Sequence, residues 1–225
     1  MMCLDRIVKG QSPTGGWDYK INPKSTRDDM SFAGWALQAL KAGKMAGLHP
    51  EGLDACIKKA IRCLKTRNFK NGGFNYTAGG GPTGLTATGC LAMQLLGFSS
   101  QPEVRKSLDF MKTWQPTFDA KALSQEQKNL GANAQYYCYY ATQCKYQAGM
   151  RANAVKADEV SWQKWNVAMK KLYTSMLTTL PNTVMDCTGK PHKQGYYNCS
   201  QDHYKGDVMS SCLVALQLMV YYRYL

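Results

Sequence analysis

Apolar positions recur at helical spacing through most of this chain, in two alternating styles. From Leu53 onward, Ile57, Ala60, Ile61 and Leu64 fall on one face while Lys58, Lys59, Arg62 and Lys65 fall opposite, which predicts a helix wetted on one side. The run from Ala87 to Leu96 carries no charge at all, and a helix without a charged face is buried all round. Between them stand Asn71-Gly72-Gly73-Phe74-Asn75-Tyr76, read as a loop, and Gly79-Gly80-Gly81-Pro82, which cannot continue a helix. Thr83 or Thr86 is then placed to cap the second helix.

This outer-helix, loop, inner-helix plan repeats. Ala-x-Gln occurs at Ala36-Leu37-Gln38, Ala92-Met93-Gln94, Ala141-Thr142-Gln143 and Ala215-Leu216-Gln217, each time inside an apolar stretch that reads as an inner helix. The first unit has a short amphipathic start through Val8, a loop Gly15-Gly16-Trp17-Asp18-Tyr19 and an inner helix from about 29 to 43. In the third, Val104 to Trp114 is outer and Asn133 to Gly149 inner; in the fourth, outer and inner helices fall at about 161–180 and 207–222. The stretches 116–131 and 181–206 are read as long loops, a length often associated with function. Helical hairpins at about 1–46, 51–98, 102–149 and 161–225 predict a single all-α domain over 1–225, an incomplete α/α toroid whose open edge invites self-association.

The Gly-Gly-aromatic loops, the stretch Asp29-Met30-Ser31-Phe32-Ala33-Gly34-Trp35-Ala36-Leu37-Gln38-Ala39-Leu40 and Tyr139-Tyr140-Ala141-Thr142-Gln143 resemble the prenyltransferase and squalene-oxidase repeat family. Within it the chain looks closest to bacterial repeat proteins of unassigned function, and the likeness spans nearly its whole length. Complete relatives carry more hairpins, so the resemblance implies the C-terminal part of a longer protein. Terpenoid cyclases of that superfamily protonate an alkene or epoxide from an Asp-x-Asp-Asp segment. Here the matching segment is Thr26-Arg27-Asp28-Asp29, which makes Asp28 and Asp29 the candidate acids, with helix-dipole complementation as the alternative role. Protein prenyltransferases hold zinc with a thiolate and an imidazole where this chain has Ser31 and Ser210, so that activity is not expected. A polysaccharide lyase on the same architecture is a third possibility, for which no basic residue and cation site can be placed.

Composition narrows the classes. A hydrophobic content of 44% supports a substantial core, and the net charge of +13 is spread along the chain without a nucleic-acid-binding motif, so no nucleic-acid partner is expected. No signal peptide or membrane span is visible, the compartment stays unknown, and the residues read as a soluble unit. Cys187, His192, Cys199 and His203 lie within one stretch and leave zinc binding, a Cys187–Cys199 disulfide or neither open. No cofactor or metal is otherwise expected. The rings that could line a pocket are Trp17, Trp35, Phe74, Tyr136, Tyr137 and Tyr140, with Asp207 beside them; these predict an apolar, saccharide or peptide ligand in a concave axial cavity. Whether the chain is an enzyme is left open between that binding module and a terpenoid-cyclase-like catalyst.

Overall fold

The computed structural model describes residues 1–117, 134–198 and 207–220, the side chains of 134 and 207 excepted. The chain divides into two compact units, Met1–Thr113 and Trp114–Leu225. In the first, helices α1 (Met2–Lys9), α2 (Met30–Met45), α3 (Leu53–Cys63), α4 (Thr86–Leu95) and α5 (Pro102–Phe110) follow the outer and inner positions set by the hydrophobic pattern. Helix α2 packs on α1, α3 and α4, and α4 packs on α5. Every residue from Thr86 to Gln94 is buried, as the uncharged pattern requires. In α3, Leu53, Ile57, Ala60 and Ile61 are buried while Lys58 and Arg62 face water.

In the second unit, α6 (Ala134–Gly149) packs against α7 (Lys156–Met176) and α8 (Asp207–Leu218). Trp162, Trp165, Met169 and Tyr173 supply the buried stripe of α7, spaced three or four residues apart.

The all-α toroid expectation is corrected here. The described residues are mostly helical but mixed, with two small antiparallel sheets of two strands each. The first joins β1 (Phe69–Lys70) to β2 (Gly73–Phe74) in the register Phe69↔Phe74 and Lys70↔Gly73. Asn71 and Gly72 both take positive φ, 52° and 88°, the backbone that closes a two-residue hairpin. The stretch read as a loop is therefore a hairpin, entered through a π-helical turn at Leu64–Asn68 that extends α3. The second sheet pairs β3 (Thr178–Met185) with β4 (Pro191–Tyr196) inside the expected loop 181–206. Its turn is built by Asp186, which accepts the N–H groups of Thr188 (2.8 Å) and Lys190 (3.0 Å), with Gly189 at φ 77°. Almost every residue of these two strands is exposed, so the ribbon has no core-facing side and gives no alternating hydrophobic signal.

The Gly-aromatic repeat has a concrete meaning in the first unit. Trp17 and Phe74 are both fully buried, each preceded by a glycine pressed against the start of an inner helix. A Cβ at Gly16 would sit 2.6 Å from Asp28 Oδ1, and one at Gly73 would sit 2.5 Å from Thr86 Oγ1. Trp17 accepts the Asp29 N–H through its carbonyl (2.7 Å), and the Phe74 N–H reaches Thr86 Oγ1 (3.1 Å). Thr86 thus anchors the plug, and Thr83 Oγ1 accepts the Leu85 N–H (3.2 Å) ahead of the helix, so neither threonine caps α4. Three of the four Ala-x-Gln glutamines turn back on their own helices, with Gln38 donating to Gly34, Gln143 to Tyr139 and Gln217 to Leu213, at 3.2–3.3 Å. That bond to the residue four earlier lets a polar side chain stay in an apolar layer.

Candidate functional site

Asp28 and Asp29 are both buried at the mouth of α2. Asp28 Oδ1 accepts the hydroxyl of Thr14, and Oδ2 is paired with Arg67 Nε. Asp29 Oδ1 accepts the Ser31 hydroxyl (2.8 Å), while Oδ2 takes Arg27 Nε (3.2 Å) and Nη2 (3.1 Å). Asp29 occupies the N-cap position of α2, yet its side chain makes no capping bond. Its carboxylate is spent on Arg27 and Ser31. Both oxygens of both carboxylates thus face donors, an arrangement that anchors two guanidiniums. The space beside Asp28, lined among others by Trp17, Cys63 and Asn68, is about 10 Å³, room for one water.

The groups held by these carboxylates reach the surface. Arg27 lies over the Tyr76 ring, 5.5 Å from its centroid, and Nη2 also donates to the Tyr76 hydroxyl (3.3 Å). Tyr76 and Asp29 hold the Arg27 guanidinium above its ordinary value, and hydrogen bonding to Asp28 does the same for Arg67. Burial, with Asp29 adding to it, pushes the Tyr76 phenol up to about 12. The Asn75 N–H bonds to the Asn68 carbonyl (3.0 Å), continuing the β1–β2 ladder by one pair. Arg67 and Tyr76 consequently stand on either side of the hairpin's base. Tyr19 reaches the same cluster through the Ser31 hydroxyl and packs edge-on against Phe32, centroids 6.1 Å apart. Trp35, one helical turn beyond Ser31 and Phe32, continues that face of α2.

Exposure separates the aromatic candidates. Tyr19 is 61% exposed, Trp35 41% and Tyr76 38%. Trp17 and Phe74 are core plugs; the Trp17 indole N–H is satisfied by the Ile7 carbonyl (2.8 Å). Tyr136 and Tyr140 are buried in α6, where their rings meet edge to face at 5.0 Å and their hydroxyls bond at 3.2 Å. Tyr137, partly buried, stacks edge-on against Tyr136 at 5.7 Å. The expectation that Trp17, Phe74, Tyr136 and Tyr140 present rings to a ligand is corrected by this burial. Asp207 begins α8, and its side chain lies outside the described residues.

Two residues absent from the sequence-derived set, Tyr19 and Tyr76, belong to the surface. Both occupy the same place in a Gly-aromatic-Asx-Tyr motif, Gly16-Trp17-Asp18-Tyr19 and Gly73-Phe74-Asn75-Tyr76. In each the first aromatic turns into the core and the tyrosine two residues on turns out. The intervening residue shapes its own loop: Asp18 Oδ1 accepts the N–H groups of Lys20 and Asn22 (both 3.0 Å), and Asn75 Nδ2 donates to the Gly80 carbonyl (3.0 Å).

The remaining candidates fall elsewhere. His192 Nε2 lies 2.7 Å from Asp186 Oδ2 within the β3–β4 turn, while Cys199 and His203 lie outside the described residues. Ser31 serves Asp29, and Ser210 offers its carbonyl to Gln135 (3.0 Å). The buried Cys63 thiol is pushed up to about 12, chiefly by burial, and is an inert core group. Among the described residues no three metal-ligating side chains cluster, and no helix is long and apolar enough to cross a membrane. Compared with known proteins, the chain matches no family model, no curated protein and no solved structure.

Proposed function

We propose that this chain is a binding module for a saccharide, taken on the open surface formed by Tyr19, Trp35 and Tyr76 at the start of α2. The observation that carries this reading is the division of the candidate aromatics by exposure. These three present rings to solvent beside polar groups, while Trp17, Phe74, Tyr136 and Tyr140 are sealed. Aromatic faces stack on the apolar faces of sugar rings, and the Tyr19 hydroxyl, the Tyr76 hydroxyl and Gln38 supply directional polar contacts around them. A catalytic reading has less behind it, because Asp28 and Asp29 are consumed as anchors for Arg67 and Arg27. The kinship with prenyltransferase and squalene-oxidase repeats belongs to the same proposal, and rests on the repeated Gly-aromatic plug.

Trp35 is the one exposed tryptophan of the five, so its emission reports on this surface. Calorimetric and fluorescence titration of the whole chain with a panel of neutral and acidic oligosaccharides should give saturable binding that Trp35→Ala removes while the chain stays folded. Absence of binding across the panel, or binding indifferent to Trp35→Ala, overturns the proposal.

A further inference from the structure

Two arginines at this surface are held in a manner that goes beyond what stacking needs. Arg27 is anchored through Nε and Nη2 on Asp29, which leaves Nη1 outside that contact. Arg67 is anchored through Nε alone on Asp28, which leaves both of its Nη groups with no partner among the described residues. Their anchors are consecutive residues in the chain, both buried; Tyr76 lies under Arg27, and the Asn75–Asn68 bond sets Tyr76 across the hairpin base from Arg67. The side chains of Arg27 and Arg67 are 54% and 38% exposed. Fixing a guanidinium by one edge removes much of the side-chain entropy that a flexible arginine loses on binding, and leaves the other N–H groups ready for a planar anion.

The surrounding loops add charge of the same sign. Lys20, Lys24 and Lys70 are exposed on the segments that carry Tyr19, Arg27 and Arg67. The acids of these segments are otherwise occupied: Asp28 and Asp29 are buried in their ion pairs, and Asp18 is turned onto its own backbone. The net charge of the chain, +13, raises the local concentration of any polyanion in the same sense.

We propose that the saccharide bound here is anionic, with an acidic group on one sugar residue received by the outward N–H groups of Arg27 and Arg67 while neighbouring rings lie on Tyr76, Tyr19 and Trp35. The inference rests on the saccharide reading of the same surface and adds the class of ligand. Neutral sugars would use the rings and leave the two guanidinium edges to water; a carboxylate or sulfate forms charge-assisted hydrogen bonds with them.

A matched pair of probes tests this on the unaltered chain: an oligouronate and its fully methyl-esterified form, which has the same sugar rings and no charge, with a sulfated oligosaccharide as a third arm. The acidic form should bind at least about tenfold tighter than the ester at low salt, the size of one or two charge-assisted bonds. Raising the salt to about 0.5 M should narrow the gap, since the surface is open to solvent. Arg67→Lys keeps a cation beside Asp28 but removes the fork, and should weaken the acid several-fold and the ester by much less. Stronger binding of the sulfated probe than of the uronate supports the proposal and assigns the preferred acidic group. Equal affinity for acid and ester overturns the anionic preference and leaves the saccharide reading standing; failure of every probe to bind overturns both.

Discussion

The start of α2 and the body of α6 hold the same kinds of side chain in opposite arrangements. At α2 the charges of Asp28 and Asp29 are inside and the rings of Tyr19, Trp35 and Tyr76 are outside. In α6 and its partners the rings are inside and the polar groups close on one another. Trp165 Nε1 donates to Thr142 Oγ1 (2.9 Å), Thr142 is 2.8 Å from the Cys138 carbonyl, and the Tyr173 hydroxyl donates to Gln217 Oε1. Burial drives the Tyr173 phenol well above its usual value, so it stays a neutral donor. Aromatic and polar content alone does not mark a binding surface. What distinguishes the two regions is whether the polar groups finish their hydrogen bonds among themselves or carry unused donors to the surface.

Breaking the α6 side should cost the most stability. Trp165→Ala removes a fully buried ring and the donor to Thr142, and should lower unfolding free energy by about 3–5 kcal/mol in chemical denaturation. Arg67→Gln comes next. It leaves the Asp28 carboxylate buried without its cation, and because Arg67 is itself partly exposed the loss should be about 1–3 kcal/mol, below that of a fully buried pair. Arg67→Gln combined with Asp28→Asn should recover part of that loss, since the unpaired charge is then gone; no recovery would mean that the pair is not the reason for the loss.

The β3–β4 ribbon supplies a smaller, local effect with a defined pH sign. Asp186 is held down to about 2 by the Thr188 hydroxyl, then the Lys190 N–H and His192. Its folded value lies below that of an unfolded aspartate, near 3.9, so its contribution is complete above that value and is lost as pH falls through about 2. Amide exchange protection across Thr183–Lys193 should therefore hold from pH 7 to 4, after correction for the intrinsic rate, and collapse toward pH 2. Asp186→Ala should abolish it at all pH values while the helices keep theirs. The smallest stability effect belongs to Trp35→Ala, about 1 kcal/mol or less, since the ring is 41% exposed. A loss approaching that of Trp165→Ala would place Trp35 in the core and dissolve the contrast.

The helices were readable because their partners are local. A charge-free run such as Ala87–Leu96 or a one-sided stripe such as Leu53–Leu64 states its burial without reference to the rest of the chain. The first hairpin reads as a loop in the sequence despite the Asn71-Gly72 turn signal, because strands of two residues are too short to show alternation. The second was not readable either, because a ribbon wet on both faces has no hydrophobic alternation to detect. The Asp28–Asp29 pair was visible as chemistry but not as architecture. Its partners Thr14 and Arg67 lie 14 and 39 residues away, and only the folded chain shows that the carboxylates are occupied. Tyr19 and Tyr76 sit in the repeated Gly-aromatic-Asx-Tyr motif, in which nothing in the sequence marks the first ring as the core plug and the second as the exposed one.

Saccharide binding at the start of α2 is tested most directly by mapping amide and side-chain chemical shifts of the whole chain during titration with an oligouronate. Shifts concentrated at Tyr19, Arg27, Trp35, Arg67 and Tyr76, with α6 silent, are the result expected from this arrangement. Saturable shifts centred on Tyr136–Tyr140, or a titration with no shifts, would contradict it.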